Sequence, residues 1–151
     1  MEVRIVRLEP MRVACANAFG ATPEVDAWAV LLAWAEEKGL LNHGRSYRLF
    51  GYDNPLGGEN GLHGYDTWIT VGPDIQCWPE ERVRVKEFAS GLYAVTRCCL
   101  GDSVDAWMRL HEWMTNSPYQ MASHQWLEEH LTRPQAPWQD ILLDLYHPVA
   151  E

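Results

Sequence analysis

A ten-residue segment of this chain recurs later as a near copy, and the duplication constrains the fold more than any other feature of the sequence. Residues 25–34 read VDAWAVLLAW and residues 104–113 read VDAWMRLHEW, so the two tryptophans of each copy have the same spacing. In both copies apolar side chains recur three or four residues apart, which is typical of an amphipathic helix. The chain is therefore predicted to contain two related halves, each built around one helix.

The segments that flank the two helices correspond as well. Alternating apolar residues predict a strand over residues 3–8 and its counterpart over 83–88, and each is followed by a second extended segment, 11–15 or 92–98. We expect 3–8 and 11–15 to form one strand with a bend at Pro10. Further strands are predicted over residues 47–52, 65–71, 123–131 and 140–146.

Local signals predict where the helices begin and end. Thr22 offers a side-chain oxygen to the free amides of the first helix, and Pro23 suits its first position. Gly39 provides a left-handed stop. In the second copy Asp102 is the capping candidate.

Each half thus has the order strand, helix, strand, strand, with repeats of about 1–75 and 80–151. Two such units can cover each other's apolar surface and close a common core. We predict a single α+β domain whose largely antiparallel sheet carries two main helices on one face. A central cleft between the halves would be the natural ligand site.

Composition narrows the functional classes. The net charge of −9 argues against a DNA-binding surface and favours cationic partners. The four cysteines lack CxxC spacing, which is typical of free thiols in a reducing cytoplasm. No apolar run approaches the roughly 18 residues of a membrane span, and the N-terminus has no signal-like apolar region. A cytoplasmic protein that does not bind membranes is expected.

The reactive side chains form no recognised set. The six histidines are not spaced as metal ligands, since His124 and His130 are six apart and His111 lies on a helix. We expect neither a metal nor a cofactor. A nucleophile such as Cys98 or Ser123 with a histidine stays open as an alternative, although no motif surrounds either residue.

Eight tryptophans in 151 residues indicate either an aromatic core or an aromatic binding site. Trp28 and Trp107 are predicted to belong to the core, because they lie at helical spacing beside residues such as Val25 and Leu32. The candidates for a pocket wall are Trp34, Trp68, Trp113 and Trp126, with phenol donors from Tyr52, Tyr65 and Tyr93.

Several segments, in this order, resemble the GyrI-like effector-binding domains: RLFGYDNP at 48–55, YDTWITV at 65–71, and SHQWLEEHL at 123–131 before a final LYHPV. These are small-molecule modules of AraC-type and MerR-type multidrug regulators, and they also occur alone as DNA gyrase inhibitors. The resemblance implies a central pocket for flat, lipophilic, often cationic compounds. Because the two repeats use the whole length, we expect a stand-alone domain without direct nucleic-acid binding.

The resemblance also implies a glutamate that reaches into the pocket from the penultimate strand. The family pattern of an apolar residue, Glu, any residue and an aromatic residue aligns with Leu127, Glu128, Glu129 and His130, so Glu128 is predicted as the pocket carboxylate. His130 departs from the tyrosine that many members have. Strand alternation would place Trp126 and His130 beside Glu128. The plain alternative is that Glu128 and Glu129 form a solvated acidic pair.

Three functions follow as hypotheses. The leading one is non-catalytic binding of a hydrophobic, cationic or planar small molecule, with Glu128 as counter-charge and tryptophans as stacking surfaces. The alternative is a hydrolase of reactive cyclopropane-bearing electrophiles, in which Glu128 would activate water. The third is a protein-interaction module like that of the gyrase inhibitors. Exposed strand edges would also allow a homodimer.

Overall fold

The computed structural model describes residues 1–42, 46–57 and 60–151, and these residues divide into two units. The first unit is Met11–Phe88, and the second unit combines Met1–Pro10 with Ala89–Glu151. The elements in chain order are β1 (Arg4–Leu8), β2 (Met11–Gly20), α1 (Pro23–Glu37), β3 (Leu49–Asp53), β4 (His63–Thr70), β5 (Arg84–Phe88), β6 (Gly91–Cys99), α2 (Ser103–Asn116), β7 (Leu127–His130) and β8 (Leu142–Val149).

Each unit contains four strands and one helix. The strand order is β3-β4-β2-β5 in the first unit and β1-β6-β8-β7 in the second, and the neighbouring strands within each unit are antiparallel. The predicted α+β class with two helices and antiparallel strands is confirmed. The cleft expected between the halves and the homodimer stay predictions.

The chain does not continue as one strand through Glu9 and Pro10, and in this respect the prediction was wrong. β1 pairs with β6 in the second unit, where Val6 lies opposite Tyr93. β2 pairs with β5 in the first unit, where Val13 lies opposite Lys86. Each unit therefore takes one outer strand from the other half of the sequence. Proline lacks the N–H that a continuous ladder needs, so the break falls at a suitable place.

The helix α1 buries a face centred on Ala27, Leu31 and Ala35, all fully buried. This face leaves Val25 exposed, so its predicted place in the apolar stripe was wrong. Trp28 packs in the same buried cluster, as predicted for a core residue. The left-handed stop is confirmed by Gly39, which has φ of +74°.

The predicted side-chain caps do not form. Thr22 and Asp102 precede their helices, but neither side chain makes a capping hydrogen bond. The start of α1 relies instead on Pro23, which needs no N–H partner. Within the described residues, neither helix combines the length and the apolarity needed to cross a membrane.

In each unit the helix covers one face of the four strands, and we call the opposite face of these strands the distal face. In the first unit Ala14, Leu49 and Ile69 pack with α1. In the second unit Ala94 and Leu145 pack with α2. Because side chains alternate along a strand, their neighbours in sequence lie on the distal faces. These neighbours include Cys15, Phe50 and Trp68 in the first unit and Tyr93, Val95, Asp144 and Tyr146 in the second.

The packing of α2 predicts a large difference between two truncations on that helix. Leu110 is 0% exposed and packs in the cluster of the second unit, whereas Val104 is 75% exposed. Leu110→Ala should lower the free energy of unfolding by about 2–5 kcal/mol, because it leaves a cavity. Val104→Ala should change it by no more than about 0.5 kcal/mol. Urea denaturation measures both, and equal effects would contradict the assigned face of α2.

Candidate ligand-binding site

The register of β7 against β8 decides which way each side chain of LEEH points. Glu128 lies opposite Leu145, which packs under α2. Glu129 lies opposite Asp144, on the distal face. Directly opposed residues of an antiparallel pair project to the same side of the sheet. The alternation expected along this segment is therefore present, with Glu128 on the α2 side and Glu129 on the distal side.

Glu128 belongs to an aromatic cluster on the α2 side of the second unit. The indole Nε1 of Trp107, on α2, donates a hydrogen bond of 3.2 Å to Glu128 Oε2. The Trp107 ring packs against Trp126, with ring centroids 5.3 Å apart, and Trp126 packs against His147 at 4.1 Å. Two predicted site residues, Glu128 and Trp126, thus contact the same tryptophan. Their predicted role in ligand binding stays a prediction.

Glu129 lies in a polar cluster on the distal face of the second unit. The residue is 7% exposed, and its carboxylate accepts a hydrogen bond of 2.6 Å from the Tyr146 phenol. Asp144, opposite it, is 4% exposed and accepts hydrogen bonds from Arg97 Nε and from an Arg4 terminal nitrogen, both at 3.0 Å. We call these five residues the carboxylate cluster. It combines two buried acids with two guanidinium groups and one phenol.

The distal face of the first unit carries an aromatic cluster instead. The Trp68 ring contacts Tyr52 with centroids 5.2 Å apart, Phe88 at 5.6 Å and Phe50 at 6.3 Å. The Lys86 ammonium lies 4.7 Å from the centre of the Trp68 ring and 3.1 Å from the Tyr52 hydroxyl oxygen. A cation of the chain itself therefore occupies the cation–π position over Trp68.

Two titratable groups beside this aromatic cluster, Tyr52 and Cys15, are held in their neutral forms. Burial raises the pKa of Tyr52 far above its ordinary value, and a hydrogen bond with Asp66 raises it further. Burial also raises the pKa of the Cys15 thiol to about 11. Asn17 Nδ2 donates a hydrogen bond to Asp66, so the Asp66 carboxylate is paired with a side-chain amide. At neutral pH Tyr52 is a protonated phenol and Cys15 a protonated thiol.

The two units use the same backbone positions for different chemistry. In the first unit Asp66 lies between Asn17 and Tyr52, and in the second Asp144 lies between Arg97 and Glu129. Glu129 thus occupies the position that Tyr52 has in the first unit. The duplication could have revealed this from the sequence, because YDTW at 65–68 aligns with LDLY at 143–146.

The other predicted site residues lie apart from these two distal faces. Trp34 packs in the core cluster under α1, and its indole nitrogen donates to Glu81. Trp113 stacks with Tyr119, with centroids 6.1 Å apart, and lines an open cavity of about 440 Å³ together with Arg109. In the first unit two of the predicted wall residues, Tyr52 and Trp68, contact each other.

Two histidines of the second unit, His111 on α2 and His147 on β8, lie beside each other. His111 Nδ1, on α2, lies 3.1 Å from His147 Nε2, and His147 is fully buried. Burial lowers the pKa of His147 and lowers the pKa of His130 to about 4. Both rings are therefore neutral at pH 7.

A nucleophilic Cys98 is disfavoured by its surroundings. Burial raises the pKa of the Cys98 thiol to about 11, and the nearby Glu128 raises it further. A protonated thiol is a weak nucleophile, since the thiolate is the reactive form. At pH 7 the Cys98 thiol is therefore protonated and weakly nucleophilic.

Comparisons with known proteins identify the relatives of this chain. The sequence model described as the GyrI-like small molecule binding domain matches residues 1–150. The search of curated proteins found no match.

Solved structures give the same fold. The chain resembles EcmrR in a complex with DNA (TM-score 0.74, 9% identity, 99% of this chain and 57% of that one). It also resembles a hydrolase from Listeria innocua, with a TM-score of 0.66 and 14% identity over 99% of this chain and 92% of that one. A third similar structure is SAV2435 bound to tetraphenylphosphonium, with a TM-score of 0.57 and 15% identity over 99% of this chain and 94% of that one. The chain therefore spans little more than half of the EcmrR chain. Identities this low establish the fold alone.

The lowered pKa of His130 predicts a specific pH dependence of stability. An unfolded histidine takes up a proton near pH 6.5, whereas folded His130 resists protonation until about pH 4. The unfolded state therefore binds more protons in this range, and the stability due to His130 is lost as the pH falls from 6.5 towards 4, by up to about 1.4 kcal/mol per pH unit. Urea denaturation at pH 7, 6 and 5 measures the slope.

The matched variant is His130→Gln, which should reduce this slope between pH 6.5 and 5. Part of the slope that is left is expected to come from His147, whose pKa burial also lowers. A His130→Gln variant with the full wild-type slope would contradict the assignment, whatever its absolute stability.

Proposed function

Because the chain belongs to the GyrI-like small molecule binding domain family, we propose that it binds a hydrophobic cation on the distal face of the second unit. Glu129 is the counter-charge, and the aromatic rings of Tyr146 and Tyr93 form the apolar surface beside it. The proposal moves the central carboxylate by one residue from Glu128. The burial of Glu129 together with its 2.6 Å bond from Tyr146 is the observation that carries it.

The environment of Glu129 suits an organic cation. Glu129 is 7% exposed as a residue, so its carboxylate is largely dehydrated, which raises its energy unless positive charge or hydrogen bonds replace the water. The Tyr146 phenol supplies one such bond and fixes the orientation of the carboxylate. A lipophilic cation loses little hydration itself when it enters an apolar site. An ion pair of Glu129 with a lipophilic cation is therefore favoured over an ion pair of Glu129 with a strongly hydrated cation.

Aromatic faces next to Glu129 add to this preference. Tyr93 and Tyr146 pack edge to face with centroids 5.4 Å apart, and Leu127 lies opposite Tyr146 on the same side of the sheet. The Tyr93 hydroxyl donates to the Gln125 carbonyl at 2.6 Å, so this ring is held in place. A cation over such a face gains about 0.5–2 kcal/mol. Tetraphenylphosphonium, which the structurally similar SAV2435 binds, belongs to this class of compound.

Glu128 is the competing carboxylate, and its position argues for a structural role. It lies on the side of the sheet that α2 covers and accepts the hydrogen bond from Trp107. That bond ties β7 to the helix. A ligand that used Glu128 would have to approach between β7 and α2.

Two single substitutions separate the carboxylates. Glu129→Gln keeps the size of the side chain and removes its charge, so it should weaken binding of tetraphenylphosphonium by about tenfold or more, because a charge-assisted contact is lost. Glu128→Gln should change the affinity by less than about twofold. Quenching of tryptophan fluorescence during titration measures both dissociation constants.

Triphenylphosphine oxide is the uncharged control, and its affinity should not depend on either substitution. If Glu128→Gln weakens cation binding and Glu129→Gln does not, the original assignment of Glu128 holds and the present one is wrong. If the wild-type protein shows no saturable quenching with either compound, small-molecule binding at this face is rejected.

A further inference from the structure

Three side chains with metal-ligand chemistry converge at one end of α1 in the first unit. Glu24 lies in the first turn of α1, Asp53 ends β3 and His63 begins β4. One carboxylate oxygen of each acid and a ring nitrogen of His63 all lie within 4.8 Å of one another. We propose that Glu24, Asp53 and His63 bind a divalent transition-metal ion, with Zn²⁺ as the representative. This site goes beyond the proposed ligand-binding function.

The fold itself brings the three residues together. Asp53 lies opposite Tyr65 in the β3–β4 register, and His63 precedes Tyr65 by two residues on the same strand. Side chains two apart on a strand share a face, so Asp53 and His63 both lie on the α1 side of the sheet. Since α1 begins at Pro23, its first turn holds Glu24 above this end of the strands.

The His63 ring is oriented as in many metal sites. Its Nδ1 lies 3.2 Å from the Gly61 carbonyl oxygen, which can only accept a hydrogen bond, so Nδ1 carries a proton. The other nitrogen, Nε2, points at Glu24 Oε1 at 2.5 Å. Metal-bound imidazoles commonly donate their second N–H to a backbone carbonyl in this way, which fixes the tautomer and directs the free nitrogen to the ion.

The donor set favours a particular class of ion. One imidazole nitrogen and two carboxylate oxygens suit Zn²⁺, Co²⁺ and Mn²⁺, whereas Mg²⁺ and Ca²⁺ prefer oxygen alone. Three protein ligands leave a further position for water. The Glu24 and His63 side chains are 43% and 20% exposed, so an ion can reach them from solvent.

Charge balance also favours occupancy by a cation. Two carboxylates, Glu24 and Asp53, lie with the His63 imidazole within 4.8 Å, and like charges this close repel each other unless a cation lies between them. A metal ion must replace any proton on Nε2 of His63, so proton and metal compete for this atom. A bound ion would link the start of α1 to the ends of β3 and β4.

The pair His111 and His147 provides an internal comparison. Their nitrogens lie 3.1 Å apart, but within the described residues no acid or cysteine completes a three-ligand group around them. His147 is fully buried, which restricts access of an ion. A metal ion whose binding depended on histidine alone would bind to His111 and His147 instead.

The test is titration of the metal-free protein with Zn²⁺. Calorimetry measures the heat of binding, and the thermal unfolding temperature Tm is measured with and without Zn²⁺. A ligand that binds only the folded state raises Tm. We expect saturable binding of one ion and a rise in Tm with Zn²⁺, and neither with Mg²⁺ at the same concentration. Co²⁺ should give visible d–d bands without the intense thiolate charge-transfer band that the cysteines would produce.

Three variants decide the assignment. Asp53→Asn leaves the Glu24–His63 ion pair in place, and it should lower the affinity by more than about tenfold, as should His63→Gln. His111→Gln should bind as the wild-type protein does. If His63→Gln fails to fold, loss of Zn²⁺ affinity in Asp53→Asn alone is sufficient to support the site. Absence of binding to the wild-type protein, survival of binding in Asp53→Asn, or its loss in His111→Gln would each overturn the proposal.

Discussion

The sites described above depend on one packing constraint, the burial of one face of the four strands of each unit beneath the helix of that unit. Leu31 in α1 and Leu110 in α2 are fully buried in these contacts. Side chains alternate along a strand, so the residues under the helix determine which ones point the other way. For β7 this places Glu129 on the distal face, since Glu128 shares its side of the sheet with Leu145.

The duplicated scaffold separates architecture from chemistry. Both units place an acid, Asp66 or Asp144, at the same position of the last repeated strand. The neighbour on the adjacent strand is Tyr52 in the first unit and Glu129 in the second. In the first unit a phenol lies beside an ammonium, and in the second a carboxylate lies beside a phenol. The two units therefore prefer different ligands, although the backbone positions correspond. Divergence of a few side chains on the distal faces is therefore sufficient to distinguish the two halves.

Charged groups on the distal faces are stabilised inside each unit. Asp144 is held by Arg97 and Arg4, and Lys86 lies over Trp68 and donates to Tyr52. Such pairing offsets the desolvation that an isolated buried charge would suffer. In the first unit the Lys86 ammonium lies at the aromatic face itself, whereas in the second unit the two guanidinium groups bond to Asp144 and Glu129 accepts from the Tyr146 phenol. This difference is why the proposed cation site centres on Glu129.

The sequence by itself determined the two helices, the α+β class and the core tryptophan Trp28, because apolar periodicity and the repeat report local structure directly. It did not determine which sheet β1 joins, since strand pairing depends on contacts between distant residues such as Val6 and Tyr93. Nor did the sequence determine which of Glu128 and Glu129 faces α2, because a shift of one residue in the strand register exchanges the two faces. The pairing of Glu128 with Leu145 and of Glu129 with Asp144 decides which carboxylate lies on which face. Likewise, Glu24, Asp53 and His63 have no motif spacing, and only the packing of α1 on β3 and β4 brings them together.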